Sequence, residues 1–182
     1  MTWGLVFVAC ACCAACGGAK GDGDTTAADE EPAPPSGPKA EYDAYMSQAN
    51  LAVAEERTQD ALDAYLAAAD VLDRTGEVTI ERAEAHYFAG DMAYQRMEKD
   101  LAITEYQKSV DIYLRFTGNS KIKAAVVLMN MGVIYKEKAD KNKARNCWED
   151  ALHLYKEAPK ELQDSANIRK IEQNIRDLDS GF

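Results

Sequence analysis

The chain has 182 residues, 47% of them hydrophobic, with 31 acids against 21 bases and a formal net charge of −10. That length allows one domain plus extensions, with enough apolar residues for a core. The acidity argues against nucleic acid, whose phosphates demand a basic stripe, and against electrostatic attachment to anionic lipid.

Residues Trp3 to Ala15 form an apolar run of 13. A bilayer span needs about 20 residues, so the run fits the apolar core of a signal peptide that ends in small residues. Four of the five cysteines, Cys10, Cys12, Cys13 and Cys16, lie in or beside it, and only Cys147 comes later. A disulfide framework would spread even numbers of cysteines through the folded part. The four have Ala and Val for neighbours and no histidine nearby, which does not suit a zinc cluster. The junction Cys13-Ala14-Ala15-Cys16-Gly17-Gly18 resembles a bacterial lipoprotein lipobox. That resemblance implies that residues 1–15 are removed and that Cys16 carries an acyl anchor in the cell envelope, on the outer membrane facing the periplasm. Cys13 stands where the lipobox usually has Leu, and no Lys or Arg precedes the apolar core. Cys10, after Phe7-Val8-Ala9, is the alternative anchor, and an ordinary cleaved signal and a buried or artefactual segment are the other readings.

Residues 16–39 hold mainly Gly, Pro, Asp, Glu, Ala and Thr, with no large apolar side chain. Such a stretch cannot bury enough surface to offset chain entropy, which predicts a disordered tether. Asp22-Gly23-Asp24 lacks the later ligands of a calcium loop. The scattered glycines lack the strand and helix that flank a phosphate loop.

From Ala40 onward apolar residues recur at spacings of three and four, and no strand-like alternation appears. Breaks near Arg57-Thr58, Arg74 to Val78, Glu98 to Asp100, Thr117 to Ser120, Ala139 to Asn142 and Glu157 to Lys160 predict seven helices. Gly76 and Gly118 read as C-terminal stops, with Thr79 and Ser120 as the following N-caps. The last helix, from about Lys160 to Leu178, carries one apolar stripe of Ile168, Ile171, Ile175 and Leu178. A single narrow stripe suits a helix that caps the end of a stack.

The sequence returns on itself after 42 residues. Ala83, Gly90, Ala102, Tyr106, Ser109 and Tyr113 recur as Ala125, Gly132, Ala144, Trp148, Ala151 and Tyr155. A fainter first copy, with Ala49, Ala61, Tyr65 and Ala68, lies 41 residues earlier. Repetition at such a period means stacked supersecondary units that bury their apolar faces against neighbours. In each copy a small residue on the first helix precedes an alanine on the second by 12 residues, and an aromatic follows at A-x3.

That spacing resembles the tetratricopeptide repeat, whose signature is L-G-x2-Y followed by A-x3-F. At 41–42 residues it is similar to the long-helix variant of kinesin light chains and many bacterial repeat proteins. The resemblance covers about residues 42 to 158 and implies an all-α fold, an α-solenoid of three helix hairpins with a C-terminal capping helix over 40–182. It also implies a concave groove lined by the first helices. The groove positions are Glu84, Tyr87, Phe88, Asp91, Tyr94 and Gln95 in the second copy. In the third they are Val126, Met129, Asn130, Val133, Lys136 and Glu137. Tyr87, Asp91, Tyr94, Asn130, Val133 and Lys136 are the residues expected to meet a peptide.

Nothing in the chain marks an enzyme. His86 and His153 lie on different repeats without a cysteine or metal-ligand spacing, and each reads as a packing or surface residue. Cys147 reads as a buried, inert thiol. No catalytic signature, cofactor site or metal site is present in the sequence. The expected work is a non-catalytic scaffold or adaptor that is anchored to a membrane and binds a protein or peptide. The alternative is a self-associating module, or a subunit of an envelope-assembly or pilus-biogenesis machine.

Overall fold

The three-and-four apolar spacing from Ala40 onward resolves into seven helices in the computed structural model, which describes residues 37–180. The expected signal segment, Cys16, Cys10 and nearly all of the expected tether lie outside those residues. The helices are α1 (Pro38–Ala54), α2 (Thr58–Thr75), α3 (Ile80–Gln95), α4 (Lys99–Tyr113), α5 (Asn119–Glu137), α6 (Lys141–Glu157) and α7 (Ser165–Asp179). A short 3₁₀ turn, Lys160–Leu162, precedes α7, and the described residues contain no strand. Helices α1 and α2, α3 and α4, and α5 and α6 pair as hairpins. The hairpins stack through α2 on α3 and α4 on α5, and α7 packs on α6. This is the all-α solenoid with a terminal helix that the repeat implies. No described helix is long and apolar enough to cross a membrane.

The hairpin turns are the same in all three copies, although their residues share no property. Glu56, Met97 and Ala139 have φ of 58°, 65° and 60°. Each donates its N–H to a carbonyl three residues back, to Val53, Tyr94 and Lys136 respectively. The next N–H in each turn reaches five residues back, to Ala52, Ala93 and Tyr135. These paired bonds satisfy carbonyls that the end of a helix leaves open. A side chain in that left-handed conformation costs roughly 1–2 kcal/mol, so the fold tolerates the same strain at three places.

The glycines of the repeat have a different reason. A Cβ on Gly132 would sit 2.2 Å from Trp148 Nε1, and one on Gly90 would sit 2.5 Å from the Tyr106 ring. The aromatic of each second helix lies flat across the glycine of the first, and both rings are almost wholly buried. Their polar tips are also placed. The Tyr65 hydroxyl donates to Asn50 at 2.9 Å, and the Tyr106 hydroxyl donates to Asp91. Asn50 and Asp91 directly follow the small residues Ala49 and Gly90. In the third copy Val133 fills that position, and Trp148 donates its indole N–H to the Met129 carbonyl at 3.1 Å instead. A buried donor is satisfied in every copy, by whichever acceptor its ring can reach.

Several expected boundaries move. Thr79 caps α3 as expected, accepting from the Arg82 N–H at 3.2 Å, and Gly76 closes α2 at φ 70°. Ser120 is not a cap, because it lies buried inside α5 and the N-cap is Gly118. Gly118 therefore opens α5 rather than closing α4. Helix α4 ends at Tyr113, where Arg115 and Phe116 turn back onto the Ile112 and Tyr113 carbonyls. The last helix starts at Ser165, because the Asp164 carboxylate accepts from the Ala166 and Asn167 N–H groups at 2.8 and 3.2 Å. Helix α1 begins at Pro38, inside the expected tether, since the proline φ suits a first turn that lacks N–H partners.

Candidate functional site: the face of the first helices

Helices α3 and α5 run side by side, and their facing edges are joined by polar contacts. Lys123 pairs with Glu84 at 2.5 Å, and the Tyr94 hydroxyl donates to Glu137 at 2.7 Å. Lys99, at the start of α4, also reaches Glu137 at 3.0 Å. These two donors, Tyr94 first, hold the Glu137 carboxyl below its usual range. Between the joined edges lies a recess of about 180 Å³. Tyr113 and Val127 line it, with Tyr87, Phe88 and Val126, and Glu84 and Lys123 add charge to an otherwise apolar lining.

Beside the recess the aromatic rings form a continuous run. Phe88 stacks on Tyr65 with centroids 5.2 Å apart, Tyr87 tilts against Phe88 at 5.3 Å, and Tyr87 stacks on Tyr106 at 6.0 Å. Burial pushes the Tyr87 hydroxyl up to about 12, and the nearby Asp91 charge adds to the shift. The Asn130 amide, close to both the Tyr87 and Tyr106 hydroxyls, acts in the opposite sense. Burial also raises the Asp91 carboxyl, outweighing the hydrogen bond it accepts from Tyr106 and the nearby Tyr87 hydroxyl.

Of the expected groove residues, the structure brings Tyr87, Asp91 and Asn130 into one polar–aromatic cluster. Tyr94 stands at its edge, held by Glu137. Val133 is half-buried against the core and Lys136 is exposed. Met129 is not a groove residue, because its side chain is buried and its carbonyl serves Trp148.

A family model described as "SNAP: Soluble NSF attachment protein, SNAP" matches residues 38–178, the three hairpins together with α7. The chain belongs to the soluble NSF attachment protein family. A search of the curated proteins found no match. Among solved structures, BtubC (BKLC) from P. vanneervenii superposes with a TM-score of 0.69 at 20% identity. That match covers 79% of this chain and 57% of BtubC, so the chain spans little more than half of that structure. MamA gives a TM-score of 0.49 at 15% identity, over 76% of this chain and 78% of the other. The likeness to BtubC is one of fold: a tetratricopeptide-like stack of helix hairpins.

Two features of this member of the family were not legible in its sequence. The recess takes Tyr113 from α4 and Val127 from the inner side of α5, positions that no groove pattern marks. The second is a chain of polar contacts through the buried His86 at the first junction between hairpins. His86 is 1% exposed, with Nδ1 2.7 Å from Glu105 and Nε2 3.2 Å from Asp73. Arg82 pairs with Asp73 at 2.5 Å and Lys108 with Glu105 at 2.9 Å. Burial raises both carboxyls, but His86 and the neighbouring cations outweigh it and hold both below their usual range. His86 is thus a packing residue, as expected, but one that links two hairpins. At the next junction the corresponding residues are Leu128, Cys147 and Arg115. There the groove is about 470 Å³, and burial pushes the Cys147 thiol up to about 11, consistent with an inert thiol. His153 is exposed near Glu157. Among the described residues no group of three His, Cys, Asp or Glu side chains is placed to hold a metal.

Proposed function

We propose that the chain is a non-catalytic adaptor whose first-helix face binds a polypeptide segment of a partner protein. The observation that carries the reading is the aromatic-walled recess beside the Tyr87, Asp91 and Asn130 cluster. A volume of about 180 Å³ takes one large apolar side chain. Asn130 can both donate and accept, as a peptide backbone requires. The charged pair Lys123 and Glu84 orients the segment more than it tightens it. The family description, an attachment protein, supports an adaptor.

The adaptor works from a membrane in the bacterial envelope, held by an acyl chain on Cys16 on the outer membrane facing the periplasm. Support for the anchor is the Ala14-Ala15-Cys16-Gly17 junction after a short apolar run. Intact mass after bacterial expression tests it: residues 1–15 retained without an acyl chain would end this part of the reading.

For the binding face, a photo-crosslinking residue at Val126 should capture a partner that the same residue at the exposed Lys141 does not. Tyr87→Ala should then weaken binding of that purified partner by about 2 kcal/mol or more, with helical content unchanged. Tyr94→Phe, which loses only the hydroxyl held by Glu137, should have a smaller effect. An affinity indifferent to Tyr87, Phe88 and Asn130 substitutions would refute the site.

A further inference from the structure

The two ends of the stack differ in chemistry. On α1, Ala44, Gln48 and Leu51 hold the register that Ala85, Ala89 and Met92 hold on α3, and Val127, Met131 and Ile134 on α5. Those six are buried, and Ala85 packs among Ala68, Ala69, Val71 and Leu72 of the hairpin before it. Leu51 is 57% exposed, and Ala44 and Gln48 are exposed too. Among the described residues, α1 presents to solvent the face that later hairpins bury against a neighbour.

At the other end α7 turns its isoleucines toward α6. Two of its acids also point to the hairpin below, Glu172 pairing with Lys156 and Asp179 with Arg145. Arg169, Lys170 and Arg176 are left on the outer side, exposed and outside every ion pair among the described residues. Residues 38–79 carry nine acids and three bases, residues 119–158 eight bases and five acids, and residues 159–180 four bases and five acids. The acidity is thus greatest at the first hairpin, and on the outer side of α7 the three cations outnumber the one remaining acid, Asp177.

We propose that the chain associates with a second copy of itself head to tail, the outer face of α1 on one copy docking on the outer face of α7 on the next. Charge decides the polarity. Pairing α1 with α1 would oppose two strongly acidic hairpins, and pairing α7 with α7 would oppose two rows of cations. Only the unlike ends complement each other, with Leu51 as the one large apolar contact. A head-to-tail contact does not close on itself, so association is open-ended. Each face is one helix wide, below the roughly 800 Å² per partner of a stable complex, so the contact is weak and sensitive to salt. It uses neither the recess nor the Tyr87 cluster and stands apart from the peptide-binding reading.

The test is sedimentation of the full 182-residue chain carrying Cys16→Ala, so that no acyl chain contributes. At low salt and about 0.5 mM, a range suited to weak contacts, the mean mass should exceed the 20.0 kDa monomer. It should fall back toward the monomer near 0.5 M salt, where charges are screened within about 4–5 Å. Leu51→Arg disables the α1 end, and Arg169→Ala/Lys170→Ala/Arg176→Ala disables the α7 end. Each variant alone should remain monomeric with unchanged helical content. Mixed, they retain one working end each and should form a heterodimer of about 40 kDa, twice the 20.0 kDa monomer, that grows no further. A wild-type chain that stays monomeric at low salt would overturn the proposal, as would a Leu51→Arg chain that still associates or a mixture that remains monomeric. A third protein seated on α1 instead would give the first of these results.

Discussion

Replacing Gly132 by alanine tests the packing logic of the repeat most directly. The added Cβ would lie 2.2 Å from Trp148 Nε1, 2.5 Å from Cδ1 and 2.7 Å from Cε2. Ordinary van der Waals contact begins near 3.4 Å, so the ring must retreat by about 1 Å or more. Trp148 is fully buried, and its N–H is tied to the Met129 carbonyl at 3.1 Å. Overpacking costs about 1–3 kcal/mol, and stranding the buried N–H a further 1–3 kcal/mol. Alanine returns about 1 kcal/mol of helix propensity. The net loss is about 1–5 kcal/mol, or roughly 3–15 °C in melting temperature for a domain of this size. Urea and thermal melts followed by far-ultraviolet circular dichroism measure it. The decisive comparison is the same change in a Trp148→Ala background, where the clash is gone and Gly132→Ala should stabilise by about 1 kcal/mol. Equal destabilisation in both backgrounds would refute the ring-on-glycine account.

Ala139→Gly should stabilise by about 0.5–1 kcal/mol, because glycine removes the left-handed penalty at φ 60° while adding unfolded-state entropy. Gly76→Ala, at φ 70° in open space, should do the reverse, and a pair of urea melts checks both. Asp91→Asn should keep the Tyr106 hydrogen bond, as Tyr65 keeps its bond to Asn50. The Asp91 carboxyl is raised by burial, so its contribution is present below the unfolded value near 4 and is lost as pH rises through the folded one. The asparagine variant should therefore lose less stability than wild type as pH rises above about 4, as melts at stepped pH would show. Burial raises Tyr42 and Tyr87 to about 12. Their contribution is present below the unfolded value near 10 and is lost as pH rises through about 12. Tyrosinate absorbance should rise together with loss of helix in that window; early ionisation of every tyrosine in the folded chain would contradict their burial.

The period, the hairpins and the terminal helix could be read from the chain, because they depend on local features that recur. Helical spacing, small residues at Ala49, Gly90 and Gly132, and A-x3-aromatic on the second helices each act within about one turn or one hairpin. The stripe of Ile168, Ile171, Ile175 and Leu178 predicted the face of α7 for the same reason. What the sequence could not show depends on residues far apart in the chain or on backbone shape. The left-handed turns fall on Glu56, Met97 and Ala139, which have no chemistry in common and are set by where each helix must stop. The expected cap at Ser120 failed because packing buried that residue inside α5. The His86, Glu105 and Asp73 chain joins three helices, and its partners at the next junction are Leu128, Cys147 and Arg115, so no repeat pattern marks it. The recess likewise needs Tyr113 from α4 beneath α3 and α5. The sequence sets each hairpin through local spacing, whereas only the stacking of hairpins decides which side chains meet across them.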